Sequence, residues 1–413
     1  MGNVAGRDFR ALWAGAGFSQ FATRMTAVAL PLLAVAHLHA SPFQIGVLST
    51  LSTLPFLIVG LPAGAIVDRA RQRRLLIWAD LGRAGLVASI VVAAFFGSAG
   101  LIQLDLVAFG TGVLAVFFDV AQQSYVPQVL GRDELVAGNT RLTATTSVAQ
   151  IAGPAFAGLA VGAAGTSGTT LAIAAGFAIS AALLTLITTP DPRRERAPRR
   201  HLVREIREGL AYVSGEPLLR VIAISGSGYN FCCVILQSMV TVRFVAQLGM
   251  STALASVYFT AGGAGGILGA MVARTVADRI GRDRLIWLGL VATGPFALLT
   301  PLTRAPSGLW LAAGGYFIVS AGAIASNVVQ VSRRQEICPP ELLGRMNATM
   351  RFVLWGSMPL GGLAAGVLGA AAGVEAALWV GACGLVLSCL PLVVWQLRHP
   401  ILATPARPAV PSG

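Results

Sequence analysis

Residues 119–139, DVAQQSYVPQVLGRDELVAGN, are answered about two hundred residues later by residues 327–347, NVVQVSRRQEICPPELLGRMN. Laid side by side without a gap, they match Val120 to Val328, Gln122 to Gln330, Ser124 to Ser332, Leu135 to Leu343 and Asn139 to Asn347. Asp119 stands opposite Asn327, and Asp133 opposite Glu341. At nearly the same offset Asp68-Arg69 recurs as Asp278-Arg279, and Gly153 and Gly158 recur as Gly361 and Gly366. Each match alone is weak; together they divide the chain into two related halves. In a membrane protein, such duplication points to a substrate path between the halves.

Membrane residence follows from composition. Hydrophobic residues make up 55% of the chain and charged residues 11%, where a soluble domain carries roughly 25% charged residues. The apolar stretches are continuous and do not alternate, so they read as helices, which satisfy their backbone polar groups within lipid. Twelve spans are expected, near residues 10–36, 43–67, 75–97, 101–125, 139–163, 168–188, 218–246, 252–274, 284–303, 307–331, 346–371 and 374–397. The expected fold is therefore all-α and integral to the membrane, with six-helix halves at 1–189 and 217–398. An arginine-rich linker, 190–216, joins them, and the Pro-rich tail 399–413 is expected to be disordered. Within the linker, Leu202, Ile206, Leu210 and Val213 share one helical face, which predicts a short amphipathic helix on the inner membrane surface.

The net charge of +13 raises the possibility of nucleic-acid binding, but its distribution excludes it. All basic residues are arginine, clustered in alternate loops: Arg7 and Arg10, then Arg69 to Arg74, 193–207, 274–284, and Arg333, Arg334 and Arg345. The intervening loops are nearly bare apart from Arg304. Such asymmetry is the positive-inside pattern and predicts both termini in the cytoplasm. The five cysteines fall mostly in apolar spans and read as small hydrophobes, neither a disulfide framework nor a metal site. No phosphate-binding G-x-x-x-x-G-K-[ST] loop is present, so ATP is not the expected energy source.

Residues 64–74, GAIVDRARQRR, resemble motif A of the major facilitator superfamily, a G-x-x-x-D-R followed by a basic cluster between spans two and three. Residues 269–284 look like a degenerate second copy. The segments 28–33, 117–120, 147–154 and 345–352 are similar to the branch that holds enterobactin exporters and macrolide-efflux proteins. The resemblance implies a multi-pass protein of a bacterial-type inner membrane, drug:proton antiport by alternating access, protons as the coupling ion, no cofactor, and a monomer. It places Asp68 against the start of span eleven, where a helix N-terminus favours an anion, and pairs a motif A arginine with Asp119. Asp68, Arg69, Arg73, Asp119 and Arg351 are accordingly expected to form the cytoplasmic gate, with Arg71 and Arg74 as alternatives to Arg73. Gly153, Pro154 and Gly158 resemble the helix-bending motif of antiporters.

Arg24 lies near the middle of span one, where an arginine costs roughly 2.5–3.5 kcal/mol on insertion scales. It is expected to face a cavity, binding an anionic substrate group or pairing with an acid. Gln150, Tyr229, Asn230, Gln237 and Trp355 are the further candidates for substrate contact or coupling. Asp80, three residues before Arg83, is placed to pair with it locally. Asp119 is read as a gate ion or as a proton carrier, since burial raises a carboxylate's proton affinity. The expected function is secondary active efflux of a small amphipathic drug, antibiotic or siderophore. An importer or facilitated carrier is the alternative, with a non-transporting sensor or a membrane enzyme more remote.

Overall fold

The computed structural model describes residues 2–67, 70–130, 134–189, 202–339 and 342–398. Among these the chain is helical, without a strand. The first half comprises α1 (Gly2–Ala36), α2 (Pro42–Ile58), α3 (Gly60–Val67), α4 (Gln72–Phe95), α5 (Leu101–Val129) and α6 (Leu135–Thr185). A linker helix, α7 (Leu202–Gly215), follows. The second half comprises α8 (Pro217–Thr241), α9 (Thr252–Ile280), α10 (Arg282–Thr293), α11 (Leu309–Ile337), α12 (Leu343–Ala371), α13 (Val374–Leu387) and α14 (Leu390–Arg398).

Among the described residues, nine stretches are long and apolar enough to cross a membrane. One of them is two passes. A straight helix of α6's 51 residues would run about 77 Å, against a hydrocarbon core of roughly 30 Å. It reverses at Gly165, whose φ of 60° and ψ of −161° suit a residue without Cβ. Packing confirms the hairpin. Thr145 touches α1 at Gly17 and Leu184 touches it at Gly15, while Gly153 meets Arg24 and Gly176 meets Ala22. The remaining expected spans coincide with α2 followed by α3, and with α10 followed by the 3-10 turn Gly294–Leu299. The sharp break in α6 is thus at Gly165, and the helix runs on through Pro154.

The amphipathic linker helix is present, but its contacts differ from those expected. Val213 is buried among Leu219 and Met346, whereas Leu210 is exposed. Gly209 lies against the backbone of Arg345, Glu208 accepts a 2.6 Å hydrogen bond from Arg345, and the Tyr212 hydroxyl donates to the Ile337 carbonyl at 3.2 Å. α7 therefore docks on the ends of α11 and α12. Both ends of the Glu208–Arg345 pair are about a third exposed, and such pairs contribute about 0–1 kcal/mol. Glu208→Gln should lower stability by no more than that in thermal unfolding of the detergent-solubilised protein. The expectations for 190–201 and 399–413 lie outside the described residues.

The repeat seen in the sequence is also a repeat of contacts. Gly153 of α6 packs on α1 at Arg24, and its mate Gly361 of α12 packs on α8 at Phe231. Gly158 of α6 crosses to the other half and meets Ser256 and Thr252 of α9; its mate Gly366 crosses in the opposite sense and meets Phe43 and Gly46 of α2. Thr252 Oγ1 donates to the Gly158 carbonyl at 3.1 Å, and Thr50 Oγ1 to the Pro359 carbonyl at 3.2 Å. These crossings lie at the far end of the bundle, where α1 hands over to α2. The near end carries the N-terminus.

Candidate functional site

Between the halves lie two adjoining cavities of about 340 and 380 Å³, and Arg24, Gln237 and Phe259 line both. All six residues read from sequence as substrate or coupling candidates, Arg24, Gln150, Tyr229, Asn230, Gln237 and Trp355, line the larger one. Pro154 lines it too, whereas Gly153 and Gly158 lie in the helix contacts described above. The cavity continues toward the near end past Asn327 and Gln330, late in α11.

Several of these side chains are held in place. Asn230 donates to the Leu354 carbonyl at 2.8 Å, tying α8 to α12. Gln237 donates to the Tyr316 hydroxyl at 3.1 Å and to Cys233 Sγ at 3.0 Å. Tyr316 stacks on Tyr258, with ring centroids 4.5 Å apart. The Trp355 ring meets Phe56 of α2 edge-on at 5.0 Å and lies under the Arg351 guanidinium at 4.2 Å. Arg24 differs: its Nε is buried without a hydrogen-bond partner.

Behind the smaller cavity sits a buried ion pair. Arg83 and Asp80 of α4 bond directly, and both are almost fully shielded from solvent. Arg83 donates to Ser19 Oγ at 3.0 Å and to Thr23 Oγ1 at 3.1 Å. Asp80 accepts from Ser19 at 3.1 Å and from Ser180 at 2.5 Å. The rings of Phe118 and Phe177 each lie 4.6 Å from the guanidinium carbon. The local pairing expected from sequence is present, but Arg83 also lines the cavity, which the i,i+3 spacing does not reveal.

The gate residues distribute differently from the expectation. Asp119 accepts a 3.3 Å hydrogen bond from Gln20 and feels the charges of Arg83, Arg351 and Arg24, yet it has no direct ion pair among the described residues. Arg73 is not its partner. It donates to the carbonyls of Leu184 and Thr185 at the end of α6, which have no intrahelical donor because the helix stops there. Arg351, from the other half, projects beside Val116 and Val120 of α5. Asp68 and Arg69 lie outside the described residues.

Sequence reasoning did not single out Tyr316, Phe259, Asn327 or Gln330 as cavity residues. The repeat held a signal for two of them. Asn327 stands where the first half places its buried acid, Asp119, and Gln330, the mate of Gln122, lies three residues further on, about one helical turn away.

Comparison with known proteins agrees with this geometry. Residues 12–358 match the family model of the Major Facilitator Superfamily. The chain is 28% identical to the multidrug efflux pump Tap of Mycolicibacterium fortuitum over 383 residues, 89% of each chain. It is 25% identical to the enterobactin exporter EntS of Salmonella typhi over 409 residues, 95% of this chain and 93% of that one. Its fold is similar to that of a bacterial homologue of the iron transporter ferroportin solved in an inward-facing state. The TM-score is 0.75 at 13% identity, over 94% of this chain and 98% of that one. With a family match over most of its length, two helical halves and a polar cavity between them, this chain belongs to the Major Facilitator Superfamily and is a membrane transporter, not an enzyme.

Proposed function

We propose that the protein exports a small amphipathic compound by alternating access, driven by proton entry. The observation that carries this reading is the shape of the path. The far end is closed by glycine contacts between the halves, while the central cavity runs toward the near end past Asn327 and Gln330. The arginine-rich loops favour a cytoplasmic near end. The structure would then be the state in which an exporter loads. Similarity to an efflux pump and to an exporter supports the outward direction.

In this reading Asp119 and Arg351 are gate ions. They come from opposite halves at the near end and are not in direct contact here. Closing that end would bring them together, where opposite charges attract strongly in a low-dielectric setting. Asp119→Asn should slow both gradient-driven transport and gradient-free exchange, by about tenfold for one lost charge pair of about 1.4 kcal/mol. Loss of gradient-driven accumulation with exchange intact would instead make Asp119 the proton carrier. Both measurements use everted vesicles and a panel of neutral and charged fluorescent amphipaths. Accumulation that persists unchanged under a protonophore would overturn proton coupling.

A further inference from the structure

The two adjoining cavities are lined by two charged side chains among the described residues, Arg24 and Arg83, and by no carboxylate. These two cations are not equivalent. Arg83 is engaged by Asp80, Ser19 and Thr23 and packs against the rings of Phe118 and Phe177. Arg24 faces both cavities, and its Nε is buried with nothing to bond. Asp119, the acid that acts on Arg24, is held by Gln20 and shared with Arg83 and Arg351. Among the described residues of this cluster, Arg24, Arg83 and Arg351 face Asp80 and Asp119, which leaves one positive charge over. A buried cation without a full counter-charge is costly in a membrane interior. A ligand that brings an anion removes that cost; a ligand that brings a second cation adds to it.

The rest of the wall defines the body of such a ligand. Tyr229, Tyr316, Phe259 and Trp355 supply aromatic surface around the larger cavity, and Gln150 and Asn327 supply neutral hydrogen-bonding groups. We infer that this cavity selects amphipathic anions, with Arg24 binding the carboxylate or sulfonate and the aromatic wall of the second half holding the ring system. The inference rests on the transporter reading but not on proton coupling or direction. It assigns to this chain a charge preference opposite to that of a carrier of lipophilic cations.

A matched set of bicyclic probes tests it: 2-naphthoate, 2-naphthamide and 2-naphthylmethylammonium. Binding to the detergent-solubilised full chain is measured by calorimetry at pH 7, and movement of each probe is measured in proteoliposomes. The naphthoate should bind about ten to a hundred times more tightly than the amide, as expected for hydrogen bonds to a charged group. The ammonium should bind most weakly. Arg24→Gln should collapse the naphthoate preference, and Arg24→Lys should keep part of it, since a point charge without the fork geometry still attracts an anion. Size-exclusion elution and thermal unfolding establish that each variant is folded. Tightest binding by the ammonium, a naphthoate preference that survives Arg24→Gln, or no binding by any of the three at millimolar concentration overturns the inference. Failure of every probe to move in proteoliposomes, with the binding order intact, counts against the transport reading and leaves the anion site standing.

Discussion

Asp80→Ala should destabilise the protein by about 3–5 kcal/mol, the cost of leaving a buried charge without its partner. The expectation comes from the completeness of the site. Arg83 is 2% exposed and Asp80 is fully buried, and α1, α4 and α6 each contribute to their network through Ser19, Thr23, Asp80 and Ser180. Removing the carboxylate leaves the guanidinium with the Ser19 and Thr23 hydroxyls and the Ala79 carbonyl as hydrogen-bond partners, and none of them supplies a counter-charge. Arg83→Met alone should cost a similar amount, because it strands the carboxylate. The double variant should be markedly less damaged than the sum of the two, since a buried pair replaced by apolar groups is often close to neutral. Denaturant unfolding of the four proteins in detergent gives the cycle. Additive losses would mean that the two groups act independently and that the pair is not what holds α1, α4 and α6 together.

How far the sequence disclosed this architecture depends on the range of the information. The repeat was legible because duplicated helices keep their small residues where helices approach, and Gly153, Gly158, Gly361 and Gly366 do so in matched pairs. The cavity candidates were legible for a related reason. Polar side chains within apolar spans are expensive, so Arg24, Gln150, Asn230 and Gln237 had to face one another or a cavity, and they line the same one. What stayed hidden were the contacts that join distant segments. Spacing placed Asp80 beside Arg83 but said nothing of the Phe118 and Phe177 rings that pack against its guanidinium. The basic cluster after α3 did not show which arginine goes where, and Arg73 turned out to serve the carbonyls at the end of α6 rather than Asp119. By contrast, the reversal at Gly165, the residue with a positive φ, falls between the spans 139–163 and 168–188 expected from the sequence.

Gly46→Val should leave folding of each half intact and cut transport at least about tenfold, the equivalent of 1.4 kcal/mol against the closed far end. At Gly46 the backbones of α2 and α12 are in contact. A Cβ there would stand 2.7 Å from the Gly362 carbonyl oxygen and closer still to the backbone of Gly366. Backbone cannot rotate away as a side chain can, so α2 and α12 must separate, and Thr50 would be drawn away from the Pro359 carbonyl with them. Gly366→Val meets the same obstacle from the other side, 2.9 Å from the Phe43 carbonyl oxygen. Since these contacts join the two halves only at the far end, the substitution should shift the population toward the state with that end open and away from the one in which it is closed. Spin labels at the exposed positions Ser98 and Ala305, one in each half at that end, should then report a longer distance in Gly46→Val than in the unsubstituted protein. Pairing the variant with Gly366→Val should add little, because one separation relieves both clashes. An unchanged label distance together with normal transport would show that the helices slide past the extra methyl groups, and that the far end is not held shut by this crossing.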